Sequence, residues 1–141
     1  MKENSTKKEF LVPSDLSEVQ RVSSEALSFL KPLGLRQAVL FDIRLCLDEA
    51  LINAMKYGHQ FKRELTVRLS IEYDQNEVRV LVEDQGEGFD PKKIKNCTEG
   101  ENVLRGHGRG LHLIHQLMDE VKHNPKGNAV LMVKSLKKSL L

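Results

Sequence analysis

The chain has 141 residues, 40% hydrophobic and 30% charged, with a formal net charge of +2 at pH 7. That balance excludes a disordered, highly charged tail, and no apolar run approaches the roughly 18 residues of a membrane span. Two cysteines, Cys46 and Cys97, do not make a disulfide framework; with no apolar segment behind the polar start Met1–Lys8, a soluble, cytoplasmic protein of one domain over 1–141 is expected.

The first predicted element is a strand over 8–12, stopped by Pro13. Ser14 is then read as the N-cap of a helix with acidic residues in its first turn. Val19, Val22, Ala26, Phe29 and Leu30 form its apolar stripe, up to Pro32-Leu33-Gly34. A second helix is predicted over 36–57, with Val39, Leu40, Ile43, Leu47, Leu51 and Ala54 facing inward and Gly58 placed to end it. Alternating runs at 65–73 and 78–84 read as two strands joined by a turn at Asp74-Gln75-Asn76. A Gly-, Asp- and Lys-rich loop fills 86–106. A third helix is expected from about Gly108 to Met118, then strands near 119–124 and 129–136 joined at Pro125-Lys126-Gly127. The order β-α-α-β-β-loop-α-β-β predicts an α+β fold: a two-layer sandwich with a mainly antiparallel, mixed sheet and helices on one face. Lys7 and Lys8 at one end, and Lys134, Lys137 and Lys138 at the other, lack interleaved aromatics. They read as solvated surface, with no direct nucleic-acid contact.

Three motifs carry chemistry. Glu49 and Asn53 are four residues apart on a helix and therefore share a face. An amide oxygen suits Mg²⁺, and a carboxylate one turn away can polarise a water or hydroxyl that attacks a phosphate. Taken alone, the pair is more readily an ordinary polar pair on a partly exposed helix. Lys56, three residues on, is within reach of a phosphate, although a surface lysine is the default. Asp84-Gln85-Gly86-Glu87-Gly88 closes a strand. A carboxylate there can accept from an exocyclic amine such as that of adenine, and its glycines let backbone approach a flat ring. Gly106-His107-Gly108-Arg109-Gly110-Leu111 precedes a helix, where free N–H groups make an anion site. It is neither a Walker A loop nor a dinucleotide fingerprint. His112 and His115 lack the further ligands of a zinc site and read as ordinary histidines.

In this order the motifs resemble the ATP-binding fold shared by gyrase, the Hsp90-type chaperones, histidine kinases and mismatch-repair ATPases. Glu49-x-x-x-Asn53-Ala54 matches its first box, Asp84-Gln85-Gly86-Glu87-Gly88-Phe89-Asp90-Pro91 its second, and Gly106-x-Gly108-Arg109-Gly110-Leu111 its third. Within that superfamily the chain most resembles the bacterial anti-sigma factor serine kinases. Gly88-Phe89-Asp90-Pro91 and the run from Gly108 to Val121 carry that likeness, which extends from about Phe10 to Leu136. It implies ATP and Mg²⁺, with Asn53 on the metal and Glu49 as base toward a protein serine. Asp84 would bind the adenine amino group, with Gly86 and Gly88 shaping the pocket. Gly106, Gly108, Gly110 and Leu111 would form the phosphate cradle, while Arg105 and Arg109 neutralise its charge. A lid would cover about 91–105. A sigma factor, a small antagonist protein as phosphorylation substrate and a homodimer are also implied. Three departures stand out: Lys56-Tyr57 is closer to the histidine-kinase form of the first box, His107 stands where a glycine is frequent, and Gly127-Asn128 replaces a frequent Gly-Thr, with Asn128 as the polar group. The alternatives are a non-catalytic ATP-binding regulatory module and a histidine-kinase-type catalytic domain acting in trans.

Overall fold

The computed structural model describes residues 5–60, 62–86 and 107–136, with the backbone alone for 107–111. Five strands form one sheet: β1 (Thr6–Pro13), β2 (Thr66–Tyr73), β3 (Glu77–Glu83), β4 (Glu120–His123) and β5 (Ala129–Ser135). Their spatial order is β1-β2-β3-β5-β4, and every pairing among the described residues is antiparallel. The period-two pattern sets the register. Val67, Leu69 and Ile71 of β2 and Val78, Val80 and Val82 of β3 are all buried on one face, Ile71 opposite Val80 and Val80 opposite Met132. Three helices cover that face: α1 (Val19–Phe29), α2 (Gln37–Asn53) and α3 (His107–Leu117). Val22, Ala26, Ile43, Leu47, Leu51 and Ile114 join the strand residues in a single core. The α+β sandwich expected from element order is the observed architecture. No helix among the described residues is long and apolar enough to cross a membrane.

Two local expectations need correction. Ser14 does not cap the first helix. Its N–H donates to the Leu65 carbonyl at 3.1 Å, which holds Ser14 in the sheet layer with its side chain buried. The next residue is the first one free to cap. Asp15, with extended backbone, accepts from the Ser17 N–H at 3.0 Å and starts a 3-10 turn over Leu16–Glu18 that leads into α1. The second correction concerns Gly58. The α-helix stops at Asn53, and Ala54–Gly58 form a π turn in which the His59 N–H reaches back five residues to the Ala54 carbonyl at 3.0 Å. The left-handed residue falls at Gln60, φ 51°, not at Gly58.

The hairpin between β2 and β3 encloses a charged cluster. Arg79, 7% exposed, pairs with Glu72 at 3.2 Å, Asp74 at 3.1 Å and Glu77 at 2.6 Å. Burial works against its charge, but hydrogen bonds to Glu77, Glu72 and Asp74 outweigh it and hold the guanidinium above its ordinary range. Arg79→Met would leave three carboxylates facing one another. It is expected to lower the free energy of unfolding by about 2 kcal/mol, less than for a fully buried pair because the carboxylates keep some water. Urea unfolding checks this, and an unchanged midpoint would show that the cluster contributes nothing.

Candidate functional site

The inner ends of α2, β3 and β5 converge on a pocket. Ala50 and Asn53 of α2 line one side, with Ala54 and Gly58 of the π turn. Val82 and Asp84 come from the end of β3, Ile114 from α3, His123 from β4, and Gly127 and Asn128 from the turn before β5. The apolar lining suits a flat aromatic ring, and its polar groups are few.

One of those groups is incomplete. The Asn53 side-chain nitrogen is buried and has no hydrogen-bond partner among the described residues. Such a group costs roughly 1–3 kcal/mol and marks a position for an acceptor brought by a ligand or water. Across the pocket Asp84 is 9% exposed. Its Oδ1 accepts from the Gly86 N–H at 2.7 Å, and a carboxylate has further lone pairs for a donor entering the pocket. Burial pushes its carboxyl above the ordinary aspartate range, against the pull of the Gly86 N–H and of His59.

Close approach, of the Asp84 side chain to Gly58 and of the Gly58 backbone to Gly86, explains the two glycines here, not positive φ. A methyl group on Gly58 would stand 2.5 Å from the Asp84 carboxyl carbon. One on Gly86 would overlap the carbonyl oxygen of Gly58. The π turn and the segment after β3 therefore pack with only the Asp84 carboxylate between them, and neither glycine has room for a side chain of its own.

The turn before β5 is locked to this segment. Asn124 Oδ1 accepts from the N–H groups of Gly127 (2.8 Å), Asn128 (3.0 Å) and Ala129 (3.1 Å), while Gly127 takes φ 80°. Asn128 donates from its side chain to the Asp84 carbonyl at 2.8 Å, and its own carbonyl accepts from the Asp84 N–H at 2.8 Å. The Asn128 Oδ1 accepts from Asn124 at 2.7 Å. Its amide thus holds the pocket wall together.

Asn53, Asp84 and Asn128 are brought to one pocket, with Gly86 behind Asp84. Glu49 is half-buried one turn before Asn53 and is not part of the pocket lining. Lys56 is exposed, its ammonium 5.2 Å from the centre of the Tyr57 ring. Gly108, Arg109, Gly110 and Leu111 lie in the first turns of α3. Gly88, Arg105 and Gly106, together with the lid expected over 91–105 and Cys97, fall outside the described residues. Cys46 is buried in α2, and desolvation, with Asp42 adding, pushes its thiol up to about 12, so it is not a nucleophile.

Sequence reasoning missed three residues. Asn124 was recoverable, since Asn three places before Gly is a turn signature. His59 and His123 were not, because nothing local tells that tertiary packing brings them to Asp84 and to the pocket wall.

Comparison with known proteins follows the same outline. Residues 12–134 match the family model described as the histidine kinase-like ATPase domain. The chain is 33% identical over 105 residues to the serine-protein kinase RsbW of Staphylococcus epidermidis, covering 69% of this chain and 66% of that protein. It is 28% identical over 107 residues to the RsbW of Oceanobacillus iheyensis, covering 72% and 68% respectively. With the RsbW of Staphylococcus aureus strain bovine RF122 / ET3-1 it shares 28% identity over 138 residues, covering 92% and 87%.

Proposed function

The chain belongs to the histidine kinase-like ATPase domain family, and from that premise we propose that it is an ATP-dependent serine kinase that binds a sigma factor and phosphorylates a small antagonist protein. The observation that carries this reading is the pocket lined by both the orphaned Asn53 amide and the buried Asp84 carboxylate. The likeness to proteins named serine-protein kinase supports the choice of reaction.

In this reading Asp84 accepts from the exocyclic amine of adenine while the Gly86 N–H holds the carboxylate in place. Burial excludes water from that hydrogen bond and strengthens it. The Asn53 amide oxygen is the Mg²⁺ ligand, a neutral donor suited to a hard cation that keeps most of its waters. When bound, Mg²⁺ neutralises charge on the phosphates. Backbone N–H groups at the start of α3, with Arg105 and Arg109, hold the phosphoryl oxygens. Glu49, on the Asn53 face of α2, takes the proton from the attacking serine hydroxyl. A homodimer in the cytoplasm and a lid over 91–105 complete the proposal.

Asn53→Ala tests the carrying observation. It removes both the orphan amide and the proposed metal ligand, so Mg²⁺-dependent ATP affinity is expected to fall at least about 100-fold, on the scale of two lost polar contacts. Titration calorimetry with ATP, with and without Mg²⁺, reads this directly; unchanged affinity would remove Asn53 from the site. Incubation with Mg-ATP and co-purified partners, followed by phosphosite mass spectrometry, tests the reaction. Binding without any phosphoserine would reduce the function to an ATP-binding regulatory module.

A further inference from the structure

His59 follows the π turn and is 1% exposed, so both ring nitrogens must find partners inside the protein. Its Nε2 lies 2.7 Å from the backbone nitrogen of Gln85. A backbone N–H can only donate, so Nε2 is the acceptor and carries no proton. The ring proton is then on Nδ1, which faces the buried Ser14 hydroxyl at 3.2 Å. One neutral tautomer satisfies both contacts.

Gln85 stands between Asp84, which lines the pocket, and Gly86 behind it. Its neighbour Gly86 holds Asp84 Oδ1, and its own side-chain oxygen accepts from the Thr66 N–H at 2.7 Å. Asn128 grips the Asp84 backbone from the other side. His59 is the tether from below, linking the end of β1 and the π turn to the segment that aims the carboxylate.

We propose that His59 is a positioning residue for the nucleotide: its neutral ring fixes the Gln85 peptide, thereby orients the Asp84 carboxylate, and releases it when protonated. This rests on the adenine-nucleotide reading of the pocket. An imidazolium has no acceptor, so a doubly protonated ring would set a donor against the Gln85 N–H. Asp84 is the charged group that faces His59; Ser14 and Gln85 are neutral. Burial lowers the pKa of His59 from 6.5 and Asp84 partly opposes this, so the tether is intact at neutral pH and is lost on the acid side of 6.5.

The test compares the wild type with His59→Gln, which keeps an acceptor near the Nε2 position without titrating, and with His59→Leu, which has none. ADP affinity is measured by calorimetry from pH 5.5 to 8, and amide exchange of the 84–86 segment is followed without nucleotide. His59→Leu is expected to weaken ADP about 10- to 100-fold at pH 8, the scale of one buried donor left unpaired, and to speed exchange of that segment. His59→Gln is expected to stay within about threefold of the wild type at pH 8 and to lose its fall in affinity on acidification. Wild-type affinity and exchange in His59→Leu would overturn the proposal. So would an unchanged pH profile in His59→Gln, which would assign the titration to Asp84. Should His59→Leu not fold, the pH profile of His59→Gln decides alone. A wild type that binds no ADP overturns the nucleotide reading and this role with it, while faster exchange in His59→Leu would still establish the tether by itself.

Discussion

Glu49→Gln is expected to leave ATP affinity within about threefold of the wild type and to lower phosphoryl transfer by about 10²- to 10⁴-fold, the usual contribution of a positioned base. The substitution is close to isosteric and suits a helix interior, so α2 should keep its geometry. Glu49 lies one turn before Asn53 but outside the pocket lining, so loss of its charge should not reach Asp84. Single-turnover phosphorylation of the proposed antagonist protein, with nucleotide binding measured in parallel, separates the two quantities. Equal transfer rates in the variant would remove Glu49 as the base. A parallel loss of binding would make it part of the nucleotide site instead.

Gly86→Ala is expected to abolish nucleotide binding, by at least about 100-fold, and to destabilise the fold by about 1–3 kcal/mol as an overpacking substitution. Its new methyl would meet the Gly58 carbonyl oxygen and stand 2.8 Å from the carbonyl carbon. Both are backbone atoms, with no rotamer to swing aside. Relief requires the segment after β3 to move away from the π turn, and that motion carries the Asp84 carboxylate with it. Gly58→Ala makes an instructive contrast, because its methyl meets the Asp84 carboxyl group, a side chain that can rotate. It should cost less stability while still displacing the carboxylate from the pocket. Thermal unfolding and calorimetry on the two variants read these effects separately. Wild-type ADP affinity in Gly86→Ala would show that the close approach is not needed for binding.

Most of the fold was legible because the sheet writes its own register. Two clean period-two runs around Asp74-Gln75-Asn76, with the turn closed by Asp74 accepting from the Asn76 N–H at 2.7 Å, leave little choice of pairing. The buried face of α2 was also readable, although Cys46 and Ala50 widen it beyond the predicted stripe and Met55 continues it into the π turn. Ser14 shows where local chemistry misleads. Serine and aspartate are both good caps, and only the hydrogen bond from Ser14 to Leu65, made across the fold, decides between them. The π turn was equally hidden. Helix propensity continues through Ala54-Met55-Lys56, while the extra residue per turn answers to the packing of Gly58 against Asp84. At the site, Asn53, Asp84 and Gly86 could be chosen from spacing, since each belongs to a short motif. Asn124 acts within its own turn and was open to the same kind of reading, whereas His59 and His123 contribute through contacts between distant segments, which spacing does not encode.

The Asp84–Asn128 clasp also bears on how the molecule comes apart. Glu83 pairs with Ala129, so α3 and β4 belong to one long excursion of chain between neighbouring strands. Closing such a loop costs more entropy than closing the tight turn between β2 and β3, and places the hairpin ahead of the clasp in the order of assembly. Contacts that form late are absent from the folding barrier and act on the rate of escape from the native state. A nucleotide seated at the clasp would therefore act as a brake on unfolding, not as a spur to folding, so the lifetime of the native chain would rise and fall with the nucleotide supply of the cell.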